Sequence, residues 1–167
     1  MDDIRRPLVL AVGNLLLEDD AVGQVVLDRL RHDRPDLAGA AEFVDGGTQG
    51  LSLLGLLSGR TGVVFLDAVG GGAAPGTVHV LDVDAALALR AAPGATAHEG
   101  GAATLIGVAR LLGDLPAWVR VVGVEPFRVR TGMGLSEPVR DALPQAIEAA
   151  AHAVEQMLGR AALPASA

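Results

Sequence analysis

Leu8-Val9-Leu10-Ala11-Val12-Gly13-Asn14 is the stretch from which the rest of the chain can be read. A short uninterrupted apolar run closed by Gly-Asn fits a parallel strand buried on both faces. Asp20 to Leu30 follows, with Ala21, Val22, Val25, Val26 and Leu30 at helical spacing and carboxylates at its start, where the helix dipole favours them. A buried strand followed by an amphipathic helix is the opening unit of an α/β domain.

Outward from that unit the alternation continues. Glu42-Phe43-Val44-Asp45 reads as a second strand ended by Gly46-Gly47, and Leu51 to Leu57 as a short helix. Gly62-Val63-Val64-Phe65-Leu66-Asp67 is a third strand, apolar until its last residue. Gly70 to Gly76 is a loop, and Thr77 to Val83 alternates as an edge strand would. Ala91 to Gly101, rich in Gly, Pro and Ala, reads as a mobile loop, Ala102 to Leu112 as a helix and Val119 to Val124 as a buried strand. Arg128 to Leu135 is loop. Ser136 reads as an N-cap for a helix running to about Leu158 and bent at Pro144, with a frayed tail from Gly159. The expected fold is α/β, a three-layer sandwich of a mostly parallel twisted sheet with helices on both faces. It forms a single domain over 1–167 with an ordered core of about 7–158. Ligand sites in such sheets gather beyond the carboxyl ends of the strands, which selects the loops at 13–20, 45–48, 67–76 and 124–134.

Composition removes several classes of function. The 167 residues contain no Cys, so thiolate nucleophiles, disulfides and Cys-ligated metal centres drop out. All 13 basic residues are Arg against 20 acidic ones, and the net charge of −7 argues against nucleic acid as the main partner. No apolar run reaches the roughly 20 residues of a membrane helix. Arg5-Arg6 is not followed by the apolar stretch of a secretion signal, so a cytoplasmic protein is expected. Familiar motifs fail on inspection. The segment from Gly50 lacks the closing Gly of a nucleophile elbow, His98-Glu99 lacks a second His, and no GKS or GKT loop follows the first strand.

What survives is a set of carboxylates at strand ends and one histidine. Glu18-Asp19-Asp20 follow the first strand, Asp45 ends the second, Asp67 ends the third, and His98 lies in the loop before a helix. Two carboxylates with an imidazole suit a borderline divalent ion such as nickel or zinc. Each residue also has a plainer reading: Asp20 at a helix start, Asp67 as a loop cap, His98 as an exposed loop residue, Asp45-Gly46-Gly47-Thr48 as a tight turn. Glu18 and Asp19 read as solvated. His32, His79 and His152 receive no role.

A series of segments in register changes that balance. Gly13-Asn14-Leu15-Leu16-Leu17-Glu18-Asp19-Asp20-Ala21-Val22-Gly23 resembles the opening of the nickel–iron hydrogenase maturation endopeptidases. Asp45-Gly46-Gly47-Thr48, Leu66-Asp67-Ala68, Pro75-Gly76-Thr77, the His98 loop, Gly123-Val124-Glu125-Pro126 and Gly134-Leu135-Ser136 follow in the family's order, over about residues 7 to 158. The resemblance implies an endopeptidase that removes the C-terminal extension of a hydrogenase large-subunit precursor after nickel insertion. It implies Asp20, Asp67 and His98 as the catalytic and metal-contacting residues, with nickel supplied by the precursor. Thr96-Ala97 stands where family members often have Ser-Pro, a departure in the loop before His98. A noncatalytic nickel-state sensor or chaperone for the same precursor is the alternative. A peptidyl-tRNA hydrolase, whose first strand also ends in Gly-Asn, would need a basic surface and an early catalytic His.

Overall fold

The computed structural model describes residues 5–91 and 100–161. Five strands, β1 (Leu8–Ala11), β2 (Glu42–Asp45), β3 (Gly62–Ala68), β4 (Val78–Leu81) and β5 (Trp118–Val124), form one sheet in the order β2-β1-β3-β5-β4. All neighbours are parallel except β4, which runs antiparallel to β5 at the edge. The α-helices among the described residues are α1 (Val22–Asp33), α2 (Pro35–Ala40), α3 (Val83–Ala91), α4 (Ala102–Leu112) and α5 (Glu137–Ala161).

The apolar run of β1 is explained by the two layers it serves. Side chains alternate across a strand. Val9 and Ala11 pack with Val64 and Leu66 of β3 under α1, α2 and α5. Leu8 and Leu10 pack with Val63 and Phe65 under α3, α4 and the 3-10 helix Gly50–Leu56. Every residue of β1 and β3 is buried, so neither strand shows a polar face. This is the expected three-layer α/β arrangement.

Local differences have identifiable causes. The helix expected from Asp20 starts as a 3-10 turn, Glu18–Ala21, and becomes α-helical at Val22. The segment between the edge strand and the Gly/Pro-rich loop had no assignment in the sequence, and it is α3. Its signal is Asp82, whose Oδ1 accepts the Ala85 N–H at 2.9 Å as an N-cap does. Pro35 at the first turn of α2 is a comparable signal. Helix α5 is one continuous element through Pro144. The Ser136 hydroxyl donates to Asp19, while its carbonyl accepts the Arg140 N–H at 2.9 Å at the start of α5. Among the described residues no helix is long and apolar enough to cross a membrane.

The strand order sets the position of the site. The chain leaves β1 to one side to form β2 and then returns past β1 to form β3. The carboxyl ends of β1 and β3 therefore flank the crevice where the direction of winding reverses, the place such sheets offer to a ligand.

Candidate active site

The bank on the β1 side begins at Gly13, where the chain turns sharply with φ +141°. A Cβ there would stand 2.0 Å from the Asp20 carbonyl oxygen, so only glycine lets the two segments approach. The Gly13 N–H donates to the Gly47 carbonyl at 3.1 Å and the Gln24 amide donates to the Gly13 carbonyl at 2.9 Å, which pins the turn from both sides. The Asn14 N–H then donates to Asp20 Oδ2 at 2.8 Å. Asp20 is thus folded back toward the strand it follows, and its side chain is buried.

The bank on the β3 side is Asp67, in the strand register that faces α4. Its Oδ2 accepts the N–H of Ala102, the first residue of α4, at 2.9 Å. Gly101 precedes that helix and has no side chain with which to cap it, so Asp67 supplies the acceptor from across the sheet. Burial pushes the Asp67 carboxyl up to about 8, with the nearby Asp20 charge adding to the rise and the Ala102 and Ala68 N–H groups opposing it.

Asp20 and Asp67 line one cavity of about 180 Å³, together with Asn14, Leu17, Thr48 and Gly101. Sequence positions 47 apart thus meet at the mouth of the crevice. His98 lies outside the described residues, as does most of the loop expected at Ala91 to Gly101; Gly100 and Gly101, just after it, line the same cavity. Among the described residues no three His, Cys, Asp or Glu side chains gather as a metal centre. The two carboxylates do fit a cation, because an ion between them would offset both their burial and their mutual repulsion. Asp45 stands apart: it is exposed, and its Oδ1 accepts the Gly47 N–H at 2.9 Å, the tight turn of the plainer reading.

Two acidic neighbours behave differently from their sequence reading. Asp19 is fully buried, not solvated. Its Oδ2 accepts the N–H groups of Phe127 and Arg128 at 2.9 and 2.8 Å and the Ser136 hydroxyl at 2.8 Å, while Oδ1 accepts the Ser136 N–H at 2.7 Å. Burial alone would raise its pKa, but these hydrogen bonds outweigh it and hold the carboxyl below the ordinary value. Glu18, at φ +45°, is mostly covered and pairs with Arg128 at 3.0 Å and Arg130 at 3.4 Å. Their partners lie more than a hundred residues away, which is why the acidic triplet looks uniform in sequence.

Glu125 carries no mark of its own in the sequence beyond the Gly123-Val124-Glu125-Pro126 segment. Its buried carboxylate accepts the N–H groups of Gly71 and Gly72 at 2.9 and 2.8 Å and lies 3.0 Å from His79 Nε2. It fixes the loop that follows Asp67, and His79 acquires a partner. Its role is to shape the loop, since it does not line the cavity between Asp20 and Asp67.

Comparison with known proteins identifies the family. A profile of the hydrogenase maturation protease family matches residues 27–153. The chain is 35% identical over 149 residues to the hydrogenase 2 maturation protease of Escherichia coli (strain K12), covering 86% of this chain and 87% of that protein. It is 31% identical over 146 residues to the hydrogenase expression/formation protein HupD of Rhizobium leguminosarum bv. viciae, covering 87% and 72%. The solved structure of the hydrogenase maturating endopeptidase HybD from E. coli superposes with a TM-score of 0.75 at 32% identity, covering 90% of this chain and 93% of that one.

Proposed function

The chain belongs to the hydrogenase maturation protease family, and on that premise we propose that it cleaves the C-terminal extension from a nickel–iron hydrogenase large-subunit precursor once nickel is in place. One observation carries the assignment of the site: two buried carboxylates from separate segments, Asp20 and Asp67, line a single cleft at the β1/β3 crevice. With His98, two positions before Gly100 in the sequence, they are the residues that would contact the nickel the precursor brings. Such an ion can activate water or polarise the scissile carbonyl.

The chain's own groups prepare that encounter. The Asn14 N–H orients the Asp20 carboxylate, and the Ala102 N–H orients that of Asp67. Burial raises the Asp67 carboxyl to about 8, which favours its protonated form at neutral pH. A cation held beside it would lower the cost of ionisation, with the proton released to solvent at the open mouth of the cleft, and the cleft would gain its second negative charge. The docked precursor thereby completes a site that is less charged without it. We propose the cytoplasm as the place of action.

The test is mass spectrometry of purified precursor, nickel-loaded or nickel-free, after incubation with this protein. Loss of the extension from the loaded form alone is the expected result. Cleavage of both forms would remove the nickel requirement. A stable complex with no mass loss would favour a noncatalytic sensor.

A further inference from the structure

Leu15, Leu16, Phe127 and Met133 are 50%, 59%, 57% and 82% exposed, four of the eight large apolar side chains that the described residues leave in solvent. All four stand on two loops at the carboxyl end of the sheet. These loops are joined through their backbones: the Glu18 N–H donates to the Gly132 carbonyl at 3.0 Å, the Gly132 N–H to the Leu16 carbonyl at 2.9 Å, and the Asp19 N–H to the Arg128 carbonyl at 3.2 Å. The Asp19 carboxylate closes the clamp from beneath. The exposure is therefore built into a fixed double loop and does not come from a fraying end. Water-facing apolar groups held this way mark a contact surface.

We propose that this double loop is a docking lip that takes a nonpolar stretch of the precursor adjoining its scissile bond, an inference that rests on the protease reading above. The lip is continuous with the cleft: Leu17, next to Leu15 and Leu16, lines the cavity, and so does Asn14, whose N–H holds Asp20. Arg128 and Arg130 pair with the Glu18 carboxylate, so the exposed surface that the double loop leaves unmatched is apolar. That surface suits a nonpolar segment. A second copy of the chain seated on the lip would cover the cleft, so the precursor is the occupant that leaves the site usable.

The experiment compares the triple variant Leu16→Ser, Phe127→Ser, Met133→Ser with a control double variant, Leu111→Ser, Leu112→Ser. The control removes two equally exposed leucines at the far end of α4. Each protein's Kd for nickel-loaded precursor is measured by calorimetry, its cleavage rate is measured separately, and thermal melting verifies the fold. The lip variant is expected to bind at least about tenfold more weakly, with the control unchanged. Equal affinity of the lip variant and the control would overturn the lip. So would a wild-type dimer in size-exclusion chromatography that the lip variant dissolves, since the occupant would then be a second copy. Tight, lip-dependent binding without cleavage would uphold the lip and remove the protease reading, which keeps the two failures distinct.

Discussion

Asp19 and Ser136 are 117 residues apart in the chain, yet the Ser136 N–H and hydroxyl both donate to the Asp19 carboxylate, at 2.7 and 2.8 Å. This contact joins the turn that carries Asp20 to the start of α5. The first bank of the cleft is therefore braced from below by a residue that does not enter the cleft.

Asp19→Ala should destabilise the fold by about 3 kcal/mol, because three backbone N–H groups lose their buried acceptor. Urea denaturation measures this directly. The pH dependence has a definite sign. The folded carboxyl titrates below its ordinary value, so its contribution is complete above about pH 4 and is lost as the pH falls through the lower, folded value. The wild type should lose stability faster than the variant on acidification below that point.

Asp67 predicts the opposite slope. Its folded carboxyl is raised from 3.8 to about 8, so between those values the folded state holds a proton that the unfolded state has released. Stability must then fall as the pH climbs across that window. Asp67→Asn keeps an oxygen for the Ala102 N–H and removes the titration. Thermal melts at pH 5 and pH 8.5 should show a smaller loss in the variant than in the wild type. Precursor processing should drop by at least about a hundredfold, as loss of a directly participating group does. Retained processing would take Asp67 out of the chemistry.

Gly13→Ala should damage both stability and activity. The added Cβ meets the Asp20 carbonyl oxygen at 2.0 Å, in a backbone conformation that side chains other than glycine's rarely adopt. A cost of about 3 kcal/mol is expected from the combined clash and strain. The displaced Asp20 should lower the cleavage rate at temperatures where the variant is still folded. Circular dichroism with a parallel processing assay separates the two effects.

Asp45→Ala provides the contrast. The residue is exposed and only closes a turn through the Gly47 N–H, so a loss of about 1 kcal/mol or less and a processing rate close to wild type are expected. A large loss of processing with the fold intact would place Asp45 in the site.

The layered fold was legible in the sequence because burial on both faces leaves a local mark. Leu8 to Val12 and Val63 to Leu66 have no polar face to show, and that apolar continuity needs no knowledge of distant residues. Asp67 was legible for the same reason, as the one carboxylate at the end of an otherwise apolar strand. Helices α2 and α3 escaped because their marks, Pro35 and the Asp82 cap, are single residues and not a period. The different fates of Asp19 and Asp20 had no local mark at all. In a 3-10 turn successive side chains point about 120° apart, so adjacent aspartates face different surroundings. One turns toward amides supplied from 108 to 117 residues further along the chain, and the other lines the cleft shared with Asp67. Composition and periodicity determined that carboxylates would gather at this end of the sheet. Which of them became a brace and which lines the cleft depended on long-range hydrogen-bond partners, and only the folded chain brings those together.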